Sequence, residues 1–161
     1  MALERFHEAQ SSLSAGFETA LAELRAGRKT SHWIWYIFPQ IAGLGRSSTA
    51  AVFALRGAGE AREYLRDPIL RSRYEAMASL VHEQLYRGTP VEELMGGSTD
   101  ALKLASSVTL FRKTAESLAA NDPTLASLAR CCDRILQQTA PQRYDACAFT
   151  LAQLASEPVV T

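Results

Sequence analysis

Cysteine is scarce in this chain. The three present, Cys131, Cys132 and Cys147, form an odd set with no C-x-x-C spacing, which excludes a disulfide framework and gives no structural zinc signature. They read as reduced, mostly buried thiols of a cytosolic protein. Net charge is lacking as well, because 17 Lys and Arg balance 17 Asp and Glu at a pI of about 6.8. No bulk field therefore draws the chain to nucleic acid or to anionic lipid, and nucleic-acid binding would need a local basic patch. No stretch approaches the roughly 18 apolar residues of a membrane span, and the opening MALERFHEAQ carries acid and base where a secretory signal needs an apolar run. The expectation is a cytoplasmic protein without a membrane partner. Internal repeats and low-complexity linkers are also missing, which favours a single domain over residues 1–161.

What is present is enough for a core. A chain of 161 residues with 47% apolar and 21% charged side chains has the balance of a globular protein that needs no staple. Its apolar spacing is helical. Phe17, Leu21 and Leu24 recur on one face between Ser14 and Arg28, with Gly27 as a stop. Asp67-Pro68 is a helix start, Asp at the cap and Pro at the first helical position, and it opens the longest amphipathic segment, Leu70, Tyr74, Met77, Val81 and Leu85. Further helices are expected over Leu3–Gln10, from a Ser47 or Ser48 cap to Leu55, from Glu60 to Arg66, from Thr89-Pro90 to Gly96, from Pro123 to about Gln137 and from Tyr144 to Leu154. Between Asp100 and Leu118 apolar residues surround most of the circumference, so this segment, capped by Ser98 or Thr99, reads as a central buried helix. Glu157 onward reads as a frayed tail. The fold class expected is all-α, a single-domain orthogonal bundle of about eight helices.

One stretch is unlike the rest. Lys29–Ser48, KTSHWIWYIFPQIAGLGRSS, holds both tryptophans, Trp33 and Trp35, beside Tyr36 and Phe38, with His32 and a glycine turn ending in Arg46. The run Trp33–Phe38 suits a buried strand or a short buried helix. Ser31 or Thr30 can cap a helix, and no comparable strand exists to pair with, so a helix is expected, ended by Pro39.

The run RAGRKTSHWIWYIFPQIAGLGRS, the early RFHEAQ, the DPIL of residues 67–70 and the DALKLASSVTLF of residues 100–111 resemble the bacterial family known as domain of unknown function 1810. The similarity covers roughly residues 5–136. It implies a small, mostly helical protein and locates a site without supplying a reaction. A calpastatin-like label carried by some members conflicts with a core-forming composition, since calpastatin is largely disordered.

The residues themselves suggest an anion site. Lys29, His32 and Arg46 are close in sequence around a turn, and Lys103 comes from the expected central helix. Gly43 and Gly45 let a backbone approach a ligand, and Ser47 opens a helix whose free N–H groups favour negative charge. The plain alternative is that these glycines only shape a turn and the serine only caps. Trp35 and Gln40 could wall a pocket, an aromatic face beside cations suiting a nucleotide; the default for the tryptophans is core. His32, with an ordinary pKa near working pH, could act as general acid or base, with Lys103 or Arg46 stabilising developing negative charge. Ser106 and Ser107 lie within helical reach of Lys103, whose ordinary partner would be a carboxylate such as Glu60 or Asp100. His7 and His82 read as solvated. The expectation is binding of a small phosphorylated or carboxylated metabolite, of nucleotide or ADP-ribose type, with hydrolysis as an added option; the alternative is a non-catalytic protein-interaction module. No residue set implies a metal or a cofactor.

Overall fold

A computed structural model describes residues 3–157; of the expected frayed tail, residues 158–161 lie outside the described residues. Ten α-helices and one 3-10 turn, Ala140–Gln142, make up the described fold. They are α1 (Glu4–Gln10), α2 (Phe17–Arg25), α3 (Ile34–Ile37), α4 (Ser48–Phe53), α5 (Ala58–Arg66), α6 (Pro68–Tyr86), α7 (Val91–Met95), α8 (Ser98–Ala119), α9 (Leu125–Thr139) and α10 (Ala148–Ser156). The fold is all-α. The count is close to the expected eight, and α3, α4 and α7 are helices of only one or two turns.

The central position expected for Asp100–Leu118 belongs to α8, which touches α3, α5, α7, α9 and α10. Its burial is not uniform: Leu102, expected to be interior, is 57% exposed. A chain of aromatic rings runs through the core beside it. Phe6 meets Tyr64 at 5.2 Å, Tyr64 meets Phe111 at 5.2 Å, Phe111 meets Tyr74 at 4.2 Å, Tyr74 meets Phe38 at 5.6 Å and Phe38 reaches Trp33 at 6.3 Å. Gln10, buried in this interior, answers its polar groups: Nε2 donates to the Tyr36 carbonyl at 2.7 Å and to the Tyr64 hydroxyl at 3.0 Å, while Oε1 accepts from Arg73 at 3.2 Å. A buried amide with every group paired fixes one arrangement of α1 on the core.

Capping differs from expectation at two helices and agrees at two. Ser47 caps α4, its Oγ accepting from Ala50 N–H at 3.0 Å. Asp67 caps α6, Oδ1 accepting from Ile69 and Leu70 N–H at 3.0 and 3.1 Å. By contrast α8 starts after Gly97, with no side-chain cap from Ser98 or Thr99, and α3 starts after Trp33 with no cap from Thr30 or Ser31. Those two residues are claimed instead by Glu23, as described below.

His7 is not simply solvated. Its Nε2 lies 2.7 Å from Asp67 Oδ2, so one carboxylate both caps α6 and ties it to α1. Partial burial raises the Asp67 carboxyl, but the Leu70 and Ile69 amides and His7 outweigh it and hold the group below its ordinary range. Losing an N-cap costs about 1–2 kcal/mol, so Asp67→Ala is expected to lower Tm by about 2–8 °C. Asp67→Asn, which keeps an acceptor for the cap, should lose less. Equal melting of the two variants in calorimetry would show that the cap is not what Asp67 supplies.

Candidate functional site

The aromatic block is positioned by two charged groups buried to different degrees. Glu23, near the end of α2, is a receptor for the loop that follows: Oε1 accepts from Thr30 N–H at 2.7 Å, Ser31 N–H at 2.9 Å and the Trp33 indole N–H at 2.9 Å, and Oε2 accepts from the Ser31 hydroxyl at 2.5 Å. Partial burial pushes this carboxyl up, yet the Ser31 hydroxyl, the two amides and the indole together bring it down to about 2. Arg28 is exposed and Lys29 turns into the interior, where its backbone N–H donates to the Leu94 carbonyl at 2.8 Å. Its side chain is 5% exposed, with Nζ 2.8 Å from Asp100 Oδ2, donating to the Ser31 carbonyl at 2.5 Å and 4.9 Å from the Trp33 ring centroid.

Lys103, one turn along α8, approaches the other oxygen of the same carboxylate, Nζ to Asp100 Oδ1 at 3.4 Å, and lies 4.6 Å from the Trp35 ring centroid. Each tryptophan thus carries one lysine on its ring, and Asp100 joins both lysines. Trp33 is fully buried and Trp35 is half-buried.

Beside Trp35 opens a cavity of about 620 Å³. Loop residues 40–45, α4 and the start of the next segment form its walls, and Arg5 and Arg56 contribute cations. A single parallel bridge between Ile41 and Leu55 holds the two segments together, with Leu55 N–H donating to the Gln40 carbonyl at 2.9 Å and Ala42 N–H to the Leu55 carbonyl at 2.7 Å. Glycine is required here by space. Gly43 has φ +107°, and a β-carbon on it would stand 2.7 Å from Phe149 Cζ; one on Gly45 would stand 2.4 Å from Ala50 Cβ.

The structure sorts the sequence-predicted residues into three groups. Trp35, Gln40, Gly43 and Gly45 line the cavity, and Lys103 reaches the ring of Trp35. Lys29, Ser106 and Ser107 are buried and engaged elsewhere. Lys29 serves Asp100, Ser106 Oγ donates to the Leu102 carbonyl at 3.0 Å, and Ser107 Oγ lies 2.9 Å from the Tyr74 hydroxyl in the core. His32, Arg46 and Ser47 are exposed and lie outside the cavity lining. The six-residue α4 has only a short run of aligned peptide dipoles, and Ser47 already satisfies one of its free N–H groups.

Sequence reasoning missed Glu23, Arg5 and Arg56. Arg5 binds the end of α4, Nε donating to the Val52 carbonyl at 2.7 Å and Nη2 to the Ala54 carbonyl at 3.0 Å, and it pairs with Glu60 at 2.8 Å. No local pattern marks an arginine that caps a helix C-terminus 47 residues away. Among the described residues no group of three or more His, Cys, Asp or Glu could hold a metal ion, and no helix is long and apolar enough to cross a membrane.

The family model described as "Protein of unknown function (DUF1810)" matches residues 1–140. The chain belongs to this family. A crystal structure at 1.38 Å of the conserved hypothetical protein Rv1873 from Mycobacterium tuberculosis is similar to it, with 31% identity, 96% of this chain and 97% of that chain covered, and a TM-score of 0.74. No curated protein matches. Family membership thus supports the helical fold, and the reading of the site rests on this chain's own side chains.

Two outcomes test how the aromatic block is held. Removing one member of a buried ion pair leaves the other uncompensated at about 3–5 kcal/mol, so Asp100→Ala should cost that much in urea unfolding. Lys29→Met should cost far less, because Asp100 keeps Lys103. If Lys29→Met proves the costlier change, the assignment of Asp100 as the joining group is wrong. The Glu23 carboxyl is depressed from 4.5 to about 2, so the stability it contributes is complete above about pH 4.5 and is lost as pH falls through about 2. The gap in Tm between the protein and its Glu23→Gln variant should therefore be constant near neutrality and close on acidification; a gap that stays fixed down to pH 2 excludes the role given to Glu23.

Proposed function

We propose that the chain binds a small phosphorylated or carboxylated metabolite, of nucleotide or ADP-ribose type, in the cavity beside Trp35. The observation that carries this reading is a half-buried indole at the wall of a cavity whose other sides bring in Arg5 and Arg56, with Lys103, itself outside the lining, on the ring of that indole. A volume of about 620 Å³ falls in the range of small-molecule sites, roughly 300–1,000 Å³. An aromatic wall next to cations suits a ligand with a planar ring and a negative group.

The local charge supports an anion although the chain is neutral overall. Arg5 is offset by Glu60, but Asp100 is one carboxylate serving two lysines, and among the described residues Arg56 is exposed with no carboxylate partner. The excess is positive. Gln40 can add a donor and an acceptor, and the exposed loop backbone at Gly43 adds close approach. The hydrolytic option gains no support from His32, which is exposed and outside the lining; the reading is therefore one of binding. The rival reading, docking of a protein on an apolar patch, meets exposed Leu13, Val52 and Leu102 on different segments and Ile69 and Tyr86 at opposite ends of the 19-residue α6, whereas a docking surface is contiguous.

Trp33 is sealed in the core and Trp35 is not, which gives the test its readout. A nucleotide, sugar-phosphate or dinucleotide that binds should change the intrinsic fluorescence and raise Tm by about 5–10 °C at a hundredfold excess over Kd. Trp35→Phe should abolish the fluorescence change, and Lys103→Met should weaken binding while melting stays close to that of the parent. A broad panel that produces no shift in either signal overturns the proposal, as does a fluorescence change that survives in Trp35→Phe.

A further inference from the structure

The last helix is fastened at both ends and leaves a gap between them. At its start the Cys147 backbone N–H donates to Thr109 Oγ1 of α8 at 2.9 Å. At its end Glu157 reaches the start of α5, its two carboxylate oxygens accepting from Ala58 N–H at 3.2 and 3.0 Å. Gly57, with φ +145°, makes that closure possible, because a β-carbon on it would stand 2.3 Å from Glu157 Oε1. Between the two fastenings α10 buries only Thr150, and Leu151 and Leu154 are left half-buried.

The gap is a cavity of about 460 Å³ between α5, α8 and α10, and it shares no lining residue with the cavity beside Trp35. Leu151, Leu154 and Ala155 line it from α10 and Ala58 from α5. Thr114 and Ser117 line it from α8, but their hydroxyl protons are committed inside that helix: Thr114 Oγ1 donates to the Leu110 carbonyl and Ser117 Oγ to the Thr114 carbonyl, each at 2.7 Å. The free side-chain donors of the lining are therefore two cations, Arg62 and Lys113. Arg62 is half-buried and has no ion-pair or hydrogen-bond partner among the described residues. Lys113 has only Glu116, at 3.9 Å with both side chains about half exposed, a contact worth little. Among the described residues no carboxylate lines the cavity.

We infer that this second cavity binds a single-chain amphipathic anion, an acyl carboxylate whose hydrocarbon lies along Leu151, Leu154 and Ala155 while its head group meets Arg62 and Lys113. Charge complementarity selects this occupant. A neutral apolar ligand would gain nothing from the two cations, and a compact polar anion would leave the apolar α10 wall uncovered. A mainly apolar lining with a few convergent polar groups is the usual form of a small-molecule site, and the volume falls in the range of roughly 300–1,000 Å³ for such sites. The inference is independent of the reading given to the cavity beside Trp35.

Calorimetric titration of the full chain with decanoate, kept below its micelle-forming concentration, is expected to show saturable binding. Octanoate should bind about tenfold more weakly, since each buried methylene tightens binding about threefold to fourfold. Replacing both cations, Arg62→Met with Lys113→Met, should weaken decanoate about tenfold or more with an unchanged circular dichroism melt. Trp35→Phe should bind decanoate as the parent does, which separates this site from the cavity beside that ring. The inference is overturned if decanoate gives no saturable heat, if decanol binds as tightly as decanoate, or if the double variant binds unchanged. It falls as well if the chain cosediments with phosphatidylglycerol vesicles and free decanoate does not compete, which would make α10 a membrane contact, or if sedimentation shows a dimer that Leu154→Asn splits, which would make a second copy the occupant.

Discussion

The arrangement of the chain depends on Lys29 being charged inside the protein. An ammonium that is 5% exposed carries a desolvation penalty of several kcal/mol unless oppositely charged and hydrogen-bonding groups surround it. Asp100 supplies the charge, the Ser31 carbonyl an acceptor and the Trp33 ring a face of negative potential. These partners come from the loop after α2 and from the first turn of α8. Satisfying one buried charge therefore requires the two to lie together. Glu23 then fixes the loop's remaining freedom through Thr30, Ser31 and the Trp33 indole. Packing alone would hold Trp33 against Phe38, but it would not select the register that sets Trp35 on the outer side of the same short helix, within reach of Lys103.

That register was only partly legible in the sequence. The long helices could be read because their signals are local: apolar residues at helical spacing on α2 and α6, and an Asp-Pro start at residue 67. The all-α class followed from the same signals, and so did the helical reading of the aromatic run, since a lone strand has nothing to pair with. The near-continuous apolar circumference of the Asp100–Leu118 segment correctly marked α8 as central, but it could not show that Leu102 faces outward, because periodicity gives a face and not the extent of the neighbouring element.

The site was less legible, for a different reason. Residues close in sequence need not point to one side, and the cluster Lys29, His32, Arg46 divides between the interior and solvent as soon as the loop folds around Glu23. The caps show the same limit. Ser31 has the chemistry of an N-cap, yet a carboxylate 8 residues earlier in the chain takes its N–H and hydroxyl, and α3 starts with its first amides unclaimed by side chains. Arg5 entered the cavity lining through contacts spanning tens of residues, which no windowed pattern registers. Asp100 appeared in the sequence as an ordinary partner for Lys103 alone; that it serves two lysines at once is a property of the folded chain.

Overall charge was the weakest guide to local electrostatics, and the reason is distance. At an ionic strength near 0.15 M charges more than about 8 Å apart are largely screened from one another, so the equality of 17 basic and 17 acidic side chains says little about any one surface. What matters beside Trp35 is which cations are already answered. Arg5 spends its guanidinium on two backbone carbonyls and Glu60, so it shapes the cavity more than it charges it. Lys103 shares its carboxylate with a buried lysine that needs it more and is the closer of the two, 2.8 against 3.4 Å. The lysine that can exchange its partner is thus the one on the ring of Trp35, and the one sealed in the core is the one that cannot.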